Sequence, residues 1–416
     1  MINKNMSWWR KFLAFAGPGY LIAVGYMDPG NWATDLAGGS KFGYALLSVI
    51  LISNFLAIIL QHLSLKLGIV TGKDLASISH RFPTWLRRGL WVMAEVAITA
   101  CDLAEVIGSA IALNLLFRLP LMVGVLVTVV DVFLLLFLQE KGMKYLEALV
   151  ISLISVIVVS FGIEIFLSHP NVSEIFGGLM PSIDILKNPE MLYIAIGILG
   201  ATVMPHNLYL HSYLAQARSF GKKNEDKKET ILYSTIDSTL ALSFAFVVNC
   251  SILILAAAAF NKNGLFEVAE IQDAHKLLSP LLGTSLSGIL FAIALLASGH
   301  NSTITGTLAG QVVMEGFINI KMKPWMRRLL TRAVAIVPTI IVVWLYGAHG
   351  MAKLLVLSQV VLSLQLPFAV IPLVYFTGNK KVMGKFANSP WLAILSWAIA
   401  ILIVCLNVYL LVKTFA

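Results

Sequence analysis

Residues 12–39 read FLAFAGPGYLIAVGYMDPGNWATDLAGG, an apolar run broken in its middle by Asp28-Pro29-Gly30-Asn31. Proline lacks the backbone donor that a helix needs and disfavours helical geometry in the residue before it. Glycine tolerates the dihedral angles that result. The backbone at residues 28–31 is therefore expected to unwind. A helix crosses a bilayer with roughly 20 apolar residues, so the break falls in mid-membrane. Carbonyls left without donors there cost several kcal/mol each against lipid, which requires the segment to be buried or to line a wet cavity.

The rest of the chain supports a membrane setting. Of its 416 residues 58% are hydrophobic and only 12% charged, whereas water-soluble domains carry about 25% charged residues. Apolar runs recur around residues 20, 55, 102, 128, 157, 203, 246, 298, 338, 364 and 403, predicting eleven transmembrane helices and an all-α polytopic protein. The short alternating strands of a lipid-facing barrel are absent from the pattern. With the N-terminus inside, 23 of the 30 Lys and Arg residues fall on cytoplasmic segments. The positive-inside rule then predicts an inside N-terminus and an outside C-terminus in the cell membrane. The net charge of +9 is accounted for by topology and gives no reason to expect a nucleic-acid partner. Cys101, Cys250 and Cys405 lie in apolar runs without metal-ligand spacing and read as packing residues. The first run lacks a small-residue cleavage site and reads as a retained helix.

A second break sits in the sixth run, YIAIGILGATVMPHNLYLHSYLAQA (193–217), where Met204 precedes Pro205 and His206. Spans one and six hold corresponding places in two successive five-span units. Because five is odd, the second unit inserts upside down relative to the first. Paired broken helices in inverted halves point to a transporter's substrate site at mid-membrane. The predicted organisation is a single transmembrane domain over 1–416, with repeat one at about 12–168, repeat two at about 190–377 and an extra helix at about 390–414. Pro338, Pro367 and Pro372 read as ordinary kinks.

If the breaks face each other, they offer the Asp28 carboxylate, the Asn31 amide oxygen, the Met204 thioether and carbonyls near Gly25 and Ala201. A carboxylate deep in a bilayer is costly unless paired, so its default reading is functional. Hard oxygens alone suit Mg²⁺ or Ca²⁺, whereas a sulfur favours softer transition metals. The set suggests Mn²⁺ or Fe²⁺ as transported substrate, with Co²⁺, Ni²⁺, Zn²⁺ and Cd²⁺ as competitors and no cofactor. His206 and His211 are five apart, about 140° around a helix, and lack the glutamate of a zinc-protease motif; gating or proton handling is left to them. Glu95, Asp102 and Glu105 in the third run share an arc of roughly 80°, either a proton path ending near Arg332 or a buried salt-bridge network. Asp131 and Asp237 stay open between those two roles. The polar segment SGHNSTITGT (298–307) reads as helix packing.

DPGN at 28–31, MPHNLYLHS at 204–212 and GQVVMEGF at 310–317 resemble the Nramp divalent metal transporters, most closely the bacterial manganese-importing branch, over nearly the whole chain. The resemblance implies a LeuT-like fold of two inverted five-helix repeats plus one helix, and proton-coupled uptake of Mn²⁺ or Fe²⁺. By motif it assigns Asp28, Asn31 and Met204 as metal-binding side chains, the Ala201 carbonyl as a ligand, and the Gly25 carbonyl as a ligand in some conformations. Gln359 resembles a tenth-span glutamine that joins the closed site, with Gln365 as its rival. Asp102, Glu105 and His206 match proton-handling positions, and Asp28 serves as both ligand and proton carrier. The implied partners are a divalent metal ion, protons and lipid, with no obligatory protein partner. Two other classes compete. An amino-acid symporter of LeuT type would have its substrate carboxylate repelled by Asp28. A membrane metalloprotease is disfavoured by the histidine spacing, and a fixed pore by the paired breaks.

Overall fold

The computed structural model describes residues 17–130, 143–218, 223–284, 286–319, 322–346 and 350–415, and all regular elements among them are helical. The first apolar run forms two helices, α1 (Pro18–Gly25) and α2 (Pro29–Phe42). The unwound residues are Tyr26, Met27 and Asp28, about a turn earlier than the expected 28–31, and Gly30 and Asn31 are already helical. The reason is local. Proline is well accepted at the first position of a helix, where its missing N–H has no partner to lose. Asp28 is extended (φ −70°, ψ 165°) and caps α2, its Oδ1 accepting the Asn31 N–H at 2.8 Å.

After α3 (Leu47–Thr71) come α4 (Thr84–Phe117), α5 (Leu121–Val130) and α6 (Met143–Ser168). The second broken run is α7 (Pro189–Val203) and α8 (Pro205–Leu214). The remaining long elements are α9 (Asn224–Ala259), α10 (Ile271–Leu282), α11 (Leu286–Ile318), α12 (Pro324–Tyr346), α13 (Met351–Gly378) and α14 (Pro390–Phe415). Among the described residues eight helices are long and apolar enough to cross a membrane, the interrupted 189–214 included. The other three of the eleven expected runs hold the α1–α2 pair and the shorter apolar helices Leu121–Val130 and Leu329–Leu345. Asp131 lies outside the described residues.

Both breaks sit inside the bundle. Helix α2 packs on α9, α7 and α13; α8 packs on α3 and α11; α1 packs on α9 and α11. Close approach depends on small residues, as between helices in lipid. Gly108 faces the Pro29 ring, and Gly200 lies against the Gln359 carbonyl and the Ser363 backbone. Gly200→Ala pushes a methyl into that backbone contact. Overpacking of this kind costs about 1–3 kcal/mol, and we expect a lowered unfolding temperature of the purified protein; an unchanged one would show that α7 and α13 separate easily. Asp237 also has a structural place, its Oδ2 accepting the Gly19 N–H at 2.8 Å near the start of α1. Cys101 and Cys250 are buried free thiols and Cys405 is exposed.

Candidate metal-binding site

The two breaks repeat one device. In an α-helix each carbonyl accepts from the N–H four residues on. Four residues after Gly25 stands Pro29, and four after Ala201 stands Pro205. Neither proline has an N–H, so both carbonyls lose their helical donor, and these are the two carbonyls expected as ligands. Met204, between the half-helices, has φ 40° and ψ 103°, a conformation that costs a non-glycine residue on the order of 1–3 kcal/mol.

A chain of contacts joins the breaks. Asn207 donates to the Met204 sulfur at 3.5 Å, and its amide lies against Gly25, where a Cβ would collide with it. The Tyr26 hydroxyl donates to the Val203 carbonyl at 3.3 Å and accepts from Gln61 at 2.7 Å. Gln61 Oε1 lies 2.8 Å from His211 Nδ1, so α3 ties the first break to α8. The Gln359 amide presses on Gly30, placing Gln359 beside the first break. Gln365, its rival, is half-buried, and its Oε1 has no hydrogen-bond partner among the described residues. Asp28, Asn31, Met204, His206 and Gln359 are all essentially fully buried. Among the described residues Asp28 Oδ2, Asn31 Nδ2, Gln359 Oε1 and both His206 nitrogens have no hydrogen-bond partner. Buried polar atoms usually have partners, so their concentration here marks a place built to receive something polar. Among the described residues no three His, Cys, Asp or Glu side chains converge; the donors at the breaks are mixed, with one carboxylate.

The acidic stripe of α4 is organised by arginines of α12. Arg327 bonds both Glu95 oxygens at 3.0 Å, and Trp91 donates to the same carboxylate at 3.0 Å. Arg332 reaches Glu105 at 3.2 Å and the Thr128 carbonyl at 3.3 Å, with both partners of the ion pair buried. Asp102 is fully buried on the same helix. Arg332→Leu leaves the Glu105 carboxylate buried without its cation, at a cost of about 3–5 kcal/mol. The expected result is a marked fall in thermal stability, partly restored when Glu105→Gln is added; no rescue by the second change would mean that Arg332 acts through other contacts.

In the 298–307 segment Ser298 donates to the Met27 carbonyl at the first break, while Thr303 and Thr307 bond back to their own helix. The packing expectation describes most of it, but both amide atoms of buried Asn301 lack partners among the described residues. Sequence reasoning passed over Tyr26, Gln61, Asn207 and Arg327. It also passed over Asp35 and Glu164, which are buried, with Asp35 Oδ2 and both Glu164 oxygens unpartnered among the described residues. The two acids were findable as carboxylates within apolar runs. The tyrosine and the amides carried no signal, because their importance comes from contacts between distant spans.

A family model described as "Natural resistance-associated macrophage protein-like" matches residues 19–413. The chain belongs to the Nramp family. Its Nramp relatives include the Divalent metal cation transporter MntH of Listeria innocua, 61% identical over 99% of this chain and 92% of the relative. The protein of the same name from Nostoc sp. is 58% identical over 99% of this chain and 93% of its own. Among solved structures, the Eremococcus coleocola manganese transporter superposes with a TM-score of 0.90 at 41% identity, covering 98% of this chain and 87% of that one. MhsT in complex with L-phenylalanine, at 15% identity, has a TM-score of 0.64 over 94% of this chain and 98% of its own, which shows a shared fold. The Nramp chain is thus an all-α, multi-pass membrane protein of LeuT-like architecture.

Proposed function

We propose that the protein imports divalent transition-metal ions, Mn²⁺ and Fe²⁺ foremost, across the cell membrane by alternating access, with proton movement coupled to metal movement. The observation that carries this reading is the pair of proline-broken helices, joined by Asn207 through the Met204 sulfur and Gly25, with an Asp28 oxygen at the first break that has no partner among the described residues. The metal is the cargo, and we assign no resident cofactor or catalytic group. Asp28, Asn31, Met204 and the carbonyls of Ala201 and Gly25 would replace part of its hydration shell, and Gln359 would close over it. Only one ligand carries charge, which suits an ion that must leave again. A sulfur tilts the set away from Ca²⁺ and Mg²⁺, and the names of the Nramp relatives agree with divalent metal transport.

With an inside N-terminus, α1 and α8 face the cytoplasmic path, and the Tyr26–Gln61–His211 contacts hold the inner halves together until they separate. Metal binding to a carboxylate competes with protons, so a proton leaving Asp28 has His206 and Asp102 as candidate carriers and the Glu105–Arg332 pair beyond them. Inward charge movement gains about 2.3 kcal/mol per charge per 100 mV of negative-inside potential.

Mn²⁺ uptake into proteoliposomes tests the coupling when the outside pH is fixed and only the lumen is changed, because outside ligand protonation then stays constant. We expect uptake to rise several-fold when the lumen goes from about pH 6 to about pH 8 with outside pH near 6. Equal rates would sink proton coupling while leaving metal transport standing.

A further inference from the structure

We propose that the cytoplasmic-side groove between α4, α13 and α14 is a binding site for an anionic glycerophospholipid, one acyl chain in the groove and the headgroup on the lysines and arginine at its mouth. The groove is a cavity of about 330 Å³ lined by Leu86 and Leu90 of α4, Ile371 and Tyr375 of α13, and Trp397 of α14. Pro367 and Pro372 also line it, and prolines inside a helix bend it away from its neighbours. The notch is therefore shaped by sequence: two prolines stand on its α13 wall.

Its surroundings select the occupant. The notch opens outward, with Ile371, Tyr375 and Trp397 each at least 40% exposed on a surface where the protein meets hydrocarbon. An apolar slot open to a bilayer takes an acyl chain. Trp85 and Trp391, more than 70% exposed, lie next to it in sequence at the same end of α4 and α14, where aromatic belts mark the headgroup level. At that level Arg88, Lys380, Lys381 and Lys385 are exposed, and among the described residues none has a carboxylate partner. The sequence holds no Asp or Glu from 75 to 94, nor anywhere after 315. Unneutralised cations above an apolar slot fit an anionic headgroup on an acyl chain, and a zwitterionic lipid fits only the slot. The assignment to the inner leaflet rests on the positive-inside orientation, and lipid retention is read out independently of transport.

The groove lies between the inner part of α4, whose next turns carry Asp102 and Glu105, and the inner part of α13, whose outer part carries Gln359. A chain seated there touches two helices that both pack on α2 and α8, the half-helices that follow the breaks.

The test uses the full chain in nanodiscs of mixed phosphatidylglycerol and phosphatidylcholine, released into native mass spectrometry. Wild type is expected to retain one phosphatidylglycerol with at least about tenfold preference over phosphatidylcholine. The triple change Arg88→Gln, Lys380→Gln, Lys381→Gln, all on exposed side chains, should abolish the preference while one lipid of either kind is still retained. Ile371→Trp, filling the groove from its exposed side, should abolish retention; a normal unfolding temperature confirms that each variant is folded. The proposal is overturned if wild type shows no headgroup preference, if the triple change leaves the preference intact, or if folded Ile371→Trp retains lipid as wild type does.

Discussion

Asp28→Asn is expected to bring Mn²⁺ uptake to background while the protein stays folded. Asparagine caps a helix about as well as aspartate, so the amide oxygen can still accept the Asn31 N–H that Oδ1 accepts now. Packing against the Gly108 side of Pro29 is untouched. What disappears is the negative charge and with it the second oxygen, now buried without a partner among the described residues. We expect Mn²⁺ affinity to fall by more than about 100-fold, or about 2.7 kcal/mol, in calorimetry on the purified protein. Uptake within a factor of about three of wild type, with unchanged thermal stability, would remove Asp28 from the ligand set and the proposed site with it.

The second large effect is on selectivity. Met204→Ala removes the sulfur that Asn207 now contacts at 3.5 Å and leaves a set of oxygen donors, which suits hard cations better. Calcium should therefore compete with Mn²⁺ at least about tenfold better, a shift of about 1.4 kcal/mol, while Mn²⁺ uptake itself falls less. The positive φ of Met204 complicates the change little, because alanine is strained there in much the same way; Met204→Gly, which relieves strain and also lacks sulfur, separates the two contributions. If Ca²⁺ still fails to compete in both variants, selectivity lies elsewhere and the sulfur is a packing group.

The architecture was legible in sequence because hydropathy and proline placement are local signals. Both broken helices were located from Pro29 and Pro205, although the first unwinds at 26–28; the expectation treated proline as the centre of a break, when it is the first residue of the next helix. Among the described residues three apolar runs do not stand as one long apolar helix: the first is split into α1 and α2, and the described apolar stretches of the other two are Leu121–Val130 and Leu329–Leu345. The stripe of Glu95, Asp102 and Glu105 could be read from helical periodicity, and Arg332 only as a basic residue near the cytoplasmic start of span nine. The second arginine, Arg327, could not, since its pairing with Glu95 spans 232 residues. Gln61 and Tyr26 were illegible for the same reason: a glutamine in an apolar run becomes a tie between two helix breaks only once the bundle has placed it.

The Gly25 and Ala201 carbonyls have one more implication, for how such a site can change over time. Their availability is encoded at positions 29 and 205, and the residues that bear them contribute no side-chain donor. A scan that mutates every residue near the ion would register steric damage at Gly25, from Asn207, and nothing about coordination. The informative perturbation is remote by four residues: replacing Pro29 or Pro205 lifts the obstacle to a continuous helix, and a helix that closed there would give the carbonyl its partner and remove the proposed ligand without touching the residue that owns it. In a lineage that lost either proline, the apparent metal-binding residues could all remain in place while the site they describe had ceased to exist.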